Sequence, residues 1–232
     1  MSDILSINNV FSPSDQIATL TYKQQAYKLI KTAILYQKMK TDTIYSQDSI
    51  CHALNISRTP VREAFLELQN EGYVNFYRGK GIKVVSLDPA LVHDFLEMRM
   101  DQEMMSAELA ARRASQEDLD LISSAMQEHF QSLALHDQDL CYRTDHQFHR
   151  AIAKAAHNGV LYQSLDNLLD QCLRTEFLHT YHIQESINAT FEEHKNIFQA
   201  VSSHDQQKAR LAAKYHLENA YRRAQATYWY DD

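Results

Sequence analysis

The chain has 232 residues, 44% of them hydrophobic, with only four glycines, three prolines and three widely spaced cysteines. That length suits one large domain or two modest ones, and so few helix breakers point to a mainly α-helical protein. No apolar run is long enough for a membrane span, no basic-then-apolar leader opens the chain, and Cys51, Cys141 and Cys172 make no disulfide framework, so a reduced cytoplasmic protein is expected.

The net charge of −7 argues against nucleic-acid binding only while it is treated as uniform. Residues 21–88 hold ten Lys/Arg against six Asp/Glu, whereas residues 89–232 hold thirteen against twenty-two. A basic first segment joined to an acidic second one predicts two domains with different partners. The expected division is a mobile tail over 1–20, a basic domain over 21–87 and an acidic helical domain over 88–232.

In chain order, residues 16–39 carry Tyr22, Ala26, Leu29, Ile30, Ala33 and Ile34 at helical spacing. A short helix is expected over 46–54, with Ser46 as its cap, and Asn55 suits a left-handed turn. Ser57 is then placed to cap a helix over 58–71, with Pro60 in its first turn. Two helices joined by so short a turn make a helix-turn-helix. The segment GYVNFYRGKGIKVVSL alternates about RGKG as a β-hairpin does, which makes the unit a winged helix.

Ser57, Arg58, Thr59 and Arg62 gather at the start of the second helix, where backbone N–H groups and the helix dipole favour phosphate. An arginine there can also make two hydrogen bonds to a guanine edge in the major groove. Arg78 and Lys80 at the hairpin tip suit phosphate or minor-groove contact. A lone SRT would be an ordinary solvated helix start; its setting of helix, turn, hairpin and local positive charge favours double-stranded DNA.

The strings ISRTPVREAFLELQNEGYV and FYRGKGIKVV resemble the DNA-binding domain of GntR-family bacterial transcription regulators. The resemblance implies that Arg58 and Arg62 read guanines, that Thr59 and its neighbours hold phosphates, and that the wing enters the minor groove. Members often carry a basic residue in the first turn of the preceding helix, where this chain has Gln47 and Asp48. One expected DNA contact is therefore missing, and the operator is expected to differ from the commonest one.

The second half opens with Asp88 as a cap and Pro89 in the first turn of a helix to about 113. Ser115 with Asp118 caps a second helix to about 135, and others are expected over 137–156, 159–178, 187–203 and 205–228. Six such helices form an antiparallel bundle with room for a site between them. Asp145 and His149, four apart, lie within about 40° on one helix face. That face also carries Cys141, Phe148, Ile152 and Ala156, so it turns inward. His146 falls with Asp139, Tyr142, Arg143 and Arg150 and is set aside as lying on the polar side. His194 belongs with Ile187, Phe191, Ile197, Phe198 and Val201, and His216 with Ala209, Ala212, Ala213 and Ala220. A single buried histidine is usually a hydrogen-bonded core residue. Three of them with an aspartate, on three helices, would all be satisfied by one divalent cation.

DHQFHRAIAKAAHN, EEHKNIFQAV and KYHLENAYRR extend the resemblance to the FCD-type effector domain of the FadR-like branch. Metal-binding members use one aspartate and three histidines at positions matching Asp145, His149, His194 and His216. Zinc is the first expectation for one ion per chain, with nickel, manganese or iron as alternatives. Arg99 lies on one stripe with Val92, Phe95 and Leu96, so its guanidinium is expected inside the bundle. Either it pairs with Glu103 or Glu97, or it clamps an effector carboxylate, as an arginine of this helix often does in the family.

Three readings of the metal site remain beside the sensor reading: a structural ion, no ion at all, and a hydrolase. No HExxH pair, Ser-His-Asp set or phosphate-binding loop supports an enzyme, and no second carboxylate is evidently poised beside the ligands as a general base. The expected function is a homodimeric, DNA-binding regulator that reads a palindromic operator and answers to a small organic acid.

Overall fold

The computed structural model describes residues 11, 20–41, 43–135, 138–176 and 184–228. The tail expected over 1–20 lies outside these, except at Phe11 and Leu20. The chain forms two compact units, Met1–Leu87 and Asp88–Asp232.

The first unit opens with α1 (Tyr22–Leu35). It starts later than residue 16 because Thr21 and Gln24 form a reciprocal capping box, each side chain taking the other's backbone N–H. It stops short of residue 39 because Gln37 turns left-handed at φ 52°. Strand β1 (Ile44–Tyr45) follows, then α2 (Gln47–Leu54), with Ser46 accepting from Ser49 N at 3.0 Å. Asn55 is left-handed at φ 54°, and α3 (Arg58–Asn70) begins three residues on. Ser57 occupies the N-cap position with extended backbone, but its hydroxyl makes no cap hydrogen bond, contrary to expectation. Strands β2 (Val74–Tyr77) and β3 (Gly81–Val84) form the expected hairpin.

The hairpin gains a strand that periodicity did not reveal. β1 pairs antiparallel with β3, giving the order β1-β3-β2. Gly81 makes this pairing possible: at φ +125°, a Cβ there would lie 2.1 Å from Tyr45 O. Beneath the sheet and α3 lie the buried side chains Ile30, Ile34, Val61, Phe65, Leu68 and Ile82. They hold α3 by its apolar face and leave its opposite face in solvent.

The second unit is a bundle of α4 (Pro89–Arg113), α5 (Gln116–Ala134), α6 (Gln138–Ala155), α7 (Gly159–Glu176), α8 (Gln184–Ser202) and α9 (Gln206–Tyr228). Asp88 and the Ser115–Asp118 capping box start α4 and α5 as the caps require. The core joins Ala107, Ala110 and Ala111 of α4 with Ala209 and Ala213 of α9, and with Phe148, Ile152, Ile197 and Val201. Alanine faces let α4 and α9 come close, while the larger side chains of α6 and α8 fill the middle. Truncating Phe148, fully buried, would cost about 3–5 kcal/mol.

The polar side expected for α6 is exposed at Arg143 but not throughout. Tyr142 is 2% exposed and His146 0%. The reason is that α6 packs against α4, α5 and α7 at once. Arg150 is accommodated by the carboxylates of α7, at 2.5 Å from both Asp166 and Asp170.

Candidate metal centre and nucleic-acid interface

In the first unit Ser57, Arg58, Thr59, Arg62, Arg78 and Lys80 are all exposed. Arg58, Thr59 and Arg62 stand at the start of α3, and Arg78 and Lys80 at the β2–β3 turn. The Arg58 guanidinium is held in two parallel contacts by Asp48 of α2, Nε to Oδ1 and Nη2 to Oδ2, both 2.8 Å. Gln47 Nε2 donates to Arg58 O at 3.3 Å. The two residues that depart from the expected basic pattern are therefore the ones that grip the first arginine of α3.

In the bundle, Asp145 and His149 of α6, His194 of α8 and His216 of α9 are 5%, 2%, 0% and 2% exposed and face one another. Asp145 Oδ2 lies 3.7 Å from His149 Nε2, and Oδ1 lies 3.4 Å from His194 Nε2. The rings of His149 and His216 stack at 5.1 Å, and those of His194 and His216 meet at 4.6 Å. Two sets of three residues have donor atoms all within 4.8 Å of one another: His149, His194 and His216, and His129, Asp145 and His194. His146 belongs to neither set, so geometry rather than exposure separates it from the others.

The outer ring nitrogens of His149 and His216 are tied to carboxylates. His149 Nδ1 lies 2.6 Å from Glu103 Oε2, and His216 Nδ1 lies 2.8 Å from Glu193 Oε2. Glu103 also accepts from Arg99 Nε at 2.6 Å, and Glu193 is gripped by both terminal nitrogens of Arg223 at 2.9 and 2.8 Å. Such partners fix the tautomer and turn each Nε2 inward. Burial alone would raise the Glu193 carboxyl, but its bonds to Arg223 and His216 hold it at about 2. Burial pushes His194 well below the usual imidazole range, and the neighbouring His216 adds to this. His216 is pulled down by burial too, whereas Glu103 overrides burial at His149 and raises it.

These residues fit a divalent cation. Asp145 Oδ1, His149 Nε2 and both ring nitrogens of His194 are buried with no hydrogen-bond partner, an unusual cost in a protein core. Imidazole and carboxylate donors on three helices suit a first-row transition metal. The Arg99 pairing expected as one alternative is present, through Glu103. Two further carboxylates lie beside the ligands, but Glu103 and Glu193 bind the outer nitrogens of His149 and His216 and do not stand on the inward face where a general base would. Two residues escaped the sequence reading. His129 lies on an inward stripe with Ile122, Met126 and Leu133, a signal that was available. Glu193 was hidden in a charged run beside His194.

A winged helix with exposed arginines at the start of α3, joined in one chain to a helical bundle, is the arrangement of a DNA-binding regulator. Family models match both halves: Bacterial regulatory proteins, gntR family, over residues 22–84, and the FCD domain over residues 94–219. The chain belongs to the GntR family of bacterial transcription regulators and carries an FCD domain. It is 32% identical over 193 residues to the Uxu operon transcriptional regulator of Escherichia coli K12, covering 75% of each chain. It is 29% identical over 197 residues to the HTH-type transcriptional regulator LutR of Bacillus subtilis 168, covering 77% of this chain and 89% of that one. The fold matches that of E. coli McbR/YncC, with a TM-score of 0.80 at 16% identity over 90% of this chain and 100% of that one. A GntR regulator from Rhodococcus sp. RHA1 matches with a TM-score of 0.74 at 18% identity, over 89% and 98%. No described helix is long and apolar enough to cross a membrane.

Proposed function

We propose that this regulator binds a palindromic operator as a homodimer and that a small carboxylate held at the metal centre of the bundle sets its DNA affinity. In this reading Arg58 and Arg62 contact guanine edges, while Ser57, Thr59 and the uncapped N-terminus of α3 take phosphate. Arg78 and Lys80 bind the backbone or minor groove beside them. One winged helix covers only a half-site, which is why a two-fold dimer is required.

The observation that carries the sensor reading is the relay from Arg99 through Glu103 to His149, with both links at 2.6 Å. Asp145, His149, His194 and His216 would hold the metal, which would supply Lewis-acid positions for a carboxylate. A carboxylate that also draws on Arg99 competes with Glu103 and so disturbs the partner of a metal ligand. Space adds to the coupling. The void beside Glu103 and His149 is only about 10 Å³, barely room for one water. Its walls, Ser106, Ile152, Ile197 and Ala213, come from four helices, so an organic acid enters by moving them. That repacking is what the DNA-binding heads would sense. A structural ion is the second reading, favoured by the same tightness.

The test is a thermal-shift screen of acetate, glycolate, lactate, malate and citrate on metal-loaded, metal-stripped and Arg99→Ala protein. The sensor reading expects at least one acid to stabilise the loaded wild type and to lose that effect in both altered samples. Stabilisation of neither loaded nor stripped wild type by any acid, with the ion still raising the melting temperature, would favour the structural reading.

A further inference from the structure

The bundle contains a buried histidine that a four-ligand centre does not use. His129 of α5 is 0% exposed and stands with Asp145 and His194 in the second set of converging donors. Its Nδ1 lies 3.1 Å from Thr144 Oγ1. The Thr144 hydroxyl has one proton and lies 2.8 Å from Leu140 O and 3.0 Å from Cys141 O in the preceding turn. With that proton given to the helix carbonyls, Thr144 accepts from His129 Nδ1–H. His129 then has the tautomer of His149 and His216: the N–H faces outward into an acceptor, and the Nε2 lone pair faces inward. The atom it meets there is Asp145 Oδ1, at 3.8 Å.

Two lone pairs facing each other in a dry core are unfavourable unless a cation lies between them. The spacing suits one. Donors about 2.1 Å from a metal, at angles between those of an octahedron and a tetrahedron, stand roughly 3.0–3.4 Å apart. The His194–Asp145 edge of 3.4 Å matches, and the His129–Asp145 edge exceeds it by only a few tenths of an ångström. The His129 and His194 rings also meet at 5.2 Å, like the 5.0 Å between His149 and His194.

We infer that His129 is a fifth protein ligand, joining Asp145, His149, His194 and His216 around one ion. This rests on the metal reading proposed above and sharpens it. Five protein donors favour nickel, iron, manganese or cobalt over the four-coordinate habit of zinc. They also leave one octahedral position for a carboxylate, unless it displaces His129.

The test titrates Co²⁺ into metal-stripped full-length wild type, His129→Asn and His149→Ala, reading the visible absorption of the ion. Asparagine keeps an amide N–H where Nδ1 bonds Thr144 and deletes Nε2. The expected result is one Co²⁺ per wild-type chain with the weak bands of five- or six-coordination. In His129→Asn binding should weaken at least about tenfold and the bands should intensify as the coordination number falls. One Co²⁺ per wild-type chain with an unchanged spectrum and affinity in His129→Asn overturns this inference alone. Uptake by wild type no greater than by His149→Ala overturns the metal reading and this inference with it. Should His129→Asn lack the helical circular dichroism of wild type, ¹⁵N-histidine wild type decides: four ring nitrogens shifted by Zn²⁺ support His129, and three overturn it.

Discussion

Replacing Glu103 by glutamine probes both the stability of the bundle and its metal affinity, and the two effects separate. Glu103 is 4% exposed and lies between Arg99 Nε and His149 Nδ1, with both contacts at 2.6 Å. The charges of His149 and Arg99 outweigh its burial and keep the carboxyl well below the usual carboxylate range. Glutamine retains the shape but can accept from only one neighbour, and its amide N–H must face the other donor. Neutralising one side of the buried Arg99–Glu103 pair should destabilise the metal-free protein by about 3–5 kcal/mol. For a unit of this size that is a fall of roughly 6–20 °C in melting temperature. Losing the acceptor on His149 Nδ1 should weaken metal binding by about 10–100-fold, roughly 1.4–2.7 kcal/mol. Differential scanning fluorimetry of the stripped protein measures the first effect and competition against a chelator the second. The pair Arg99→Met with Glu103→Leu should recover much of the stability, because removing both partners of a buried ion pair is often neutral, but not the metal affinity. Glu103→Gln with wild-type metal affinity would refute the claim that this carboxylate orients a ligand.

Arg62→Ala should cost about 1–3 kcal/mol in operator binding and relax base preference at one position per half-site; an unchanged footprint and affinity would remove α3 as the reading helix. Asp48→Ala frees the Arg58 guanidinium and deletes a negative charge beside the start of α3, so affinity for random-sequence duplex should rise, as read by fluorescence anisotropy; a fall would mean that Asp48 instead orients Arg58 for DNA. His149→Ala should purify with far less metal than His146→Ala, and equal metal content would undo the distinction drawn between them. The Asp118 carboxyl is held below its ordinary value of 3.8, chiefly by the Ser115 backbone N–H of the capping box. Its contribution is therefore complete above about pH 4 and is lost as the pH falls through the depressed value, so Asp118→Asn should lower stability at pH 7 and reduce the loss below pH 4. Urea titrations at pH 7 and pH 3 would show it, and an equal loss in both proteins would contradict it.

Much of the molecule was legible because its signals are local. The second helix of the helix-turn-helix, its left-handed Asn55 and the glycine-marked wing follow from spacing and turn chemistry, and so do the caps at Asp88 and Ser115. Strand β1 was not legible: two residues have no periodicity, and the pairing depends on Gly81 accepting the close approach of Tyr45. The α6 face was misjudged at Tyr142 and His146 because a helix surrounded by three others buries polar side chains that a two-sided amphipathic pattern places in water. Asp145, His149, His194 and His216 could be grouped because each lies on an apolar stripe. His129 lay on such a stripe too, with Ile122, Met126 and Leu133, and was overlooked; Glu103 and Glu193 needed the tertiary arrangement, since what distinguishes them is which ring nitrogen they face.

The most direct measurement is the affinity for a duplex selected by the protein itself from a random pool, with and without the acid that gives the largest thermal shift. It is made on metal-loaded and metal-stripped protein side by side. The account predicts that the acid changes the affinity of the loaded protein by about fivefold or more and leaves the stripped protein unaffected. An equal response in both samples, or none in the loaded one, would contradict it.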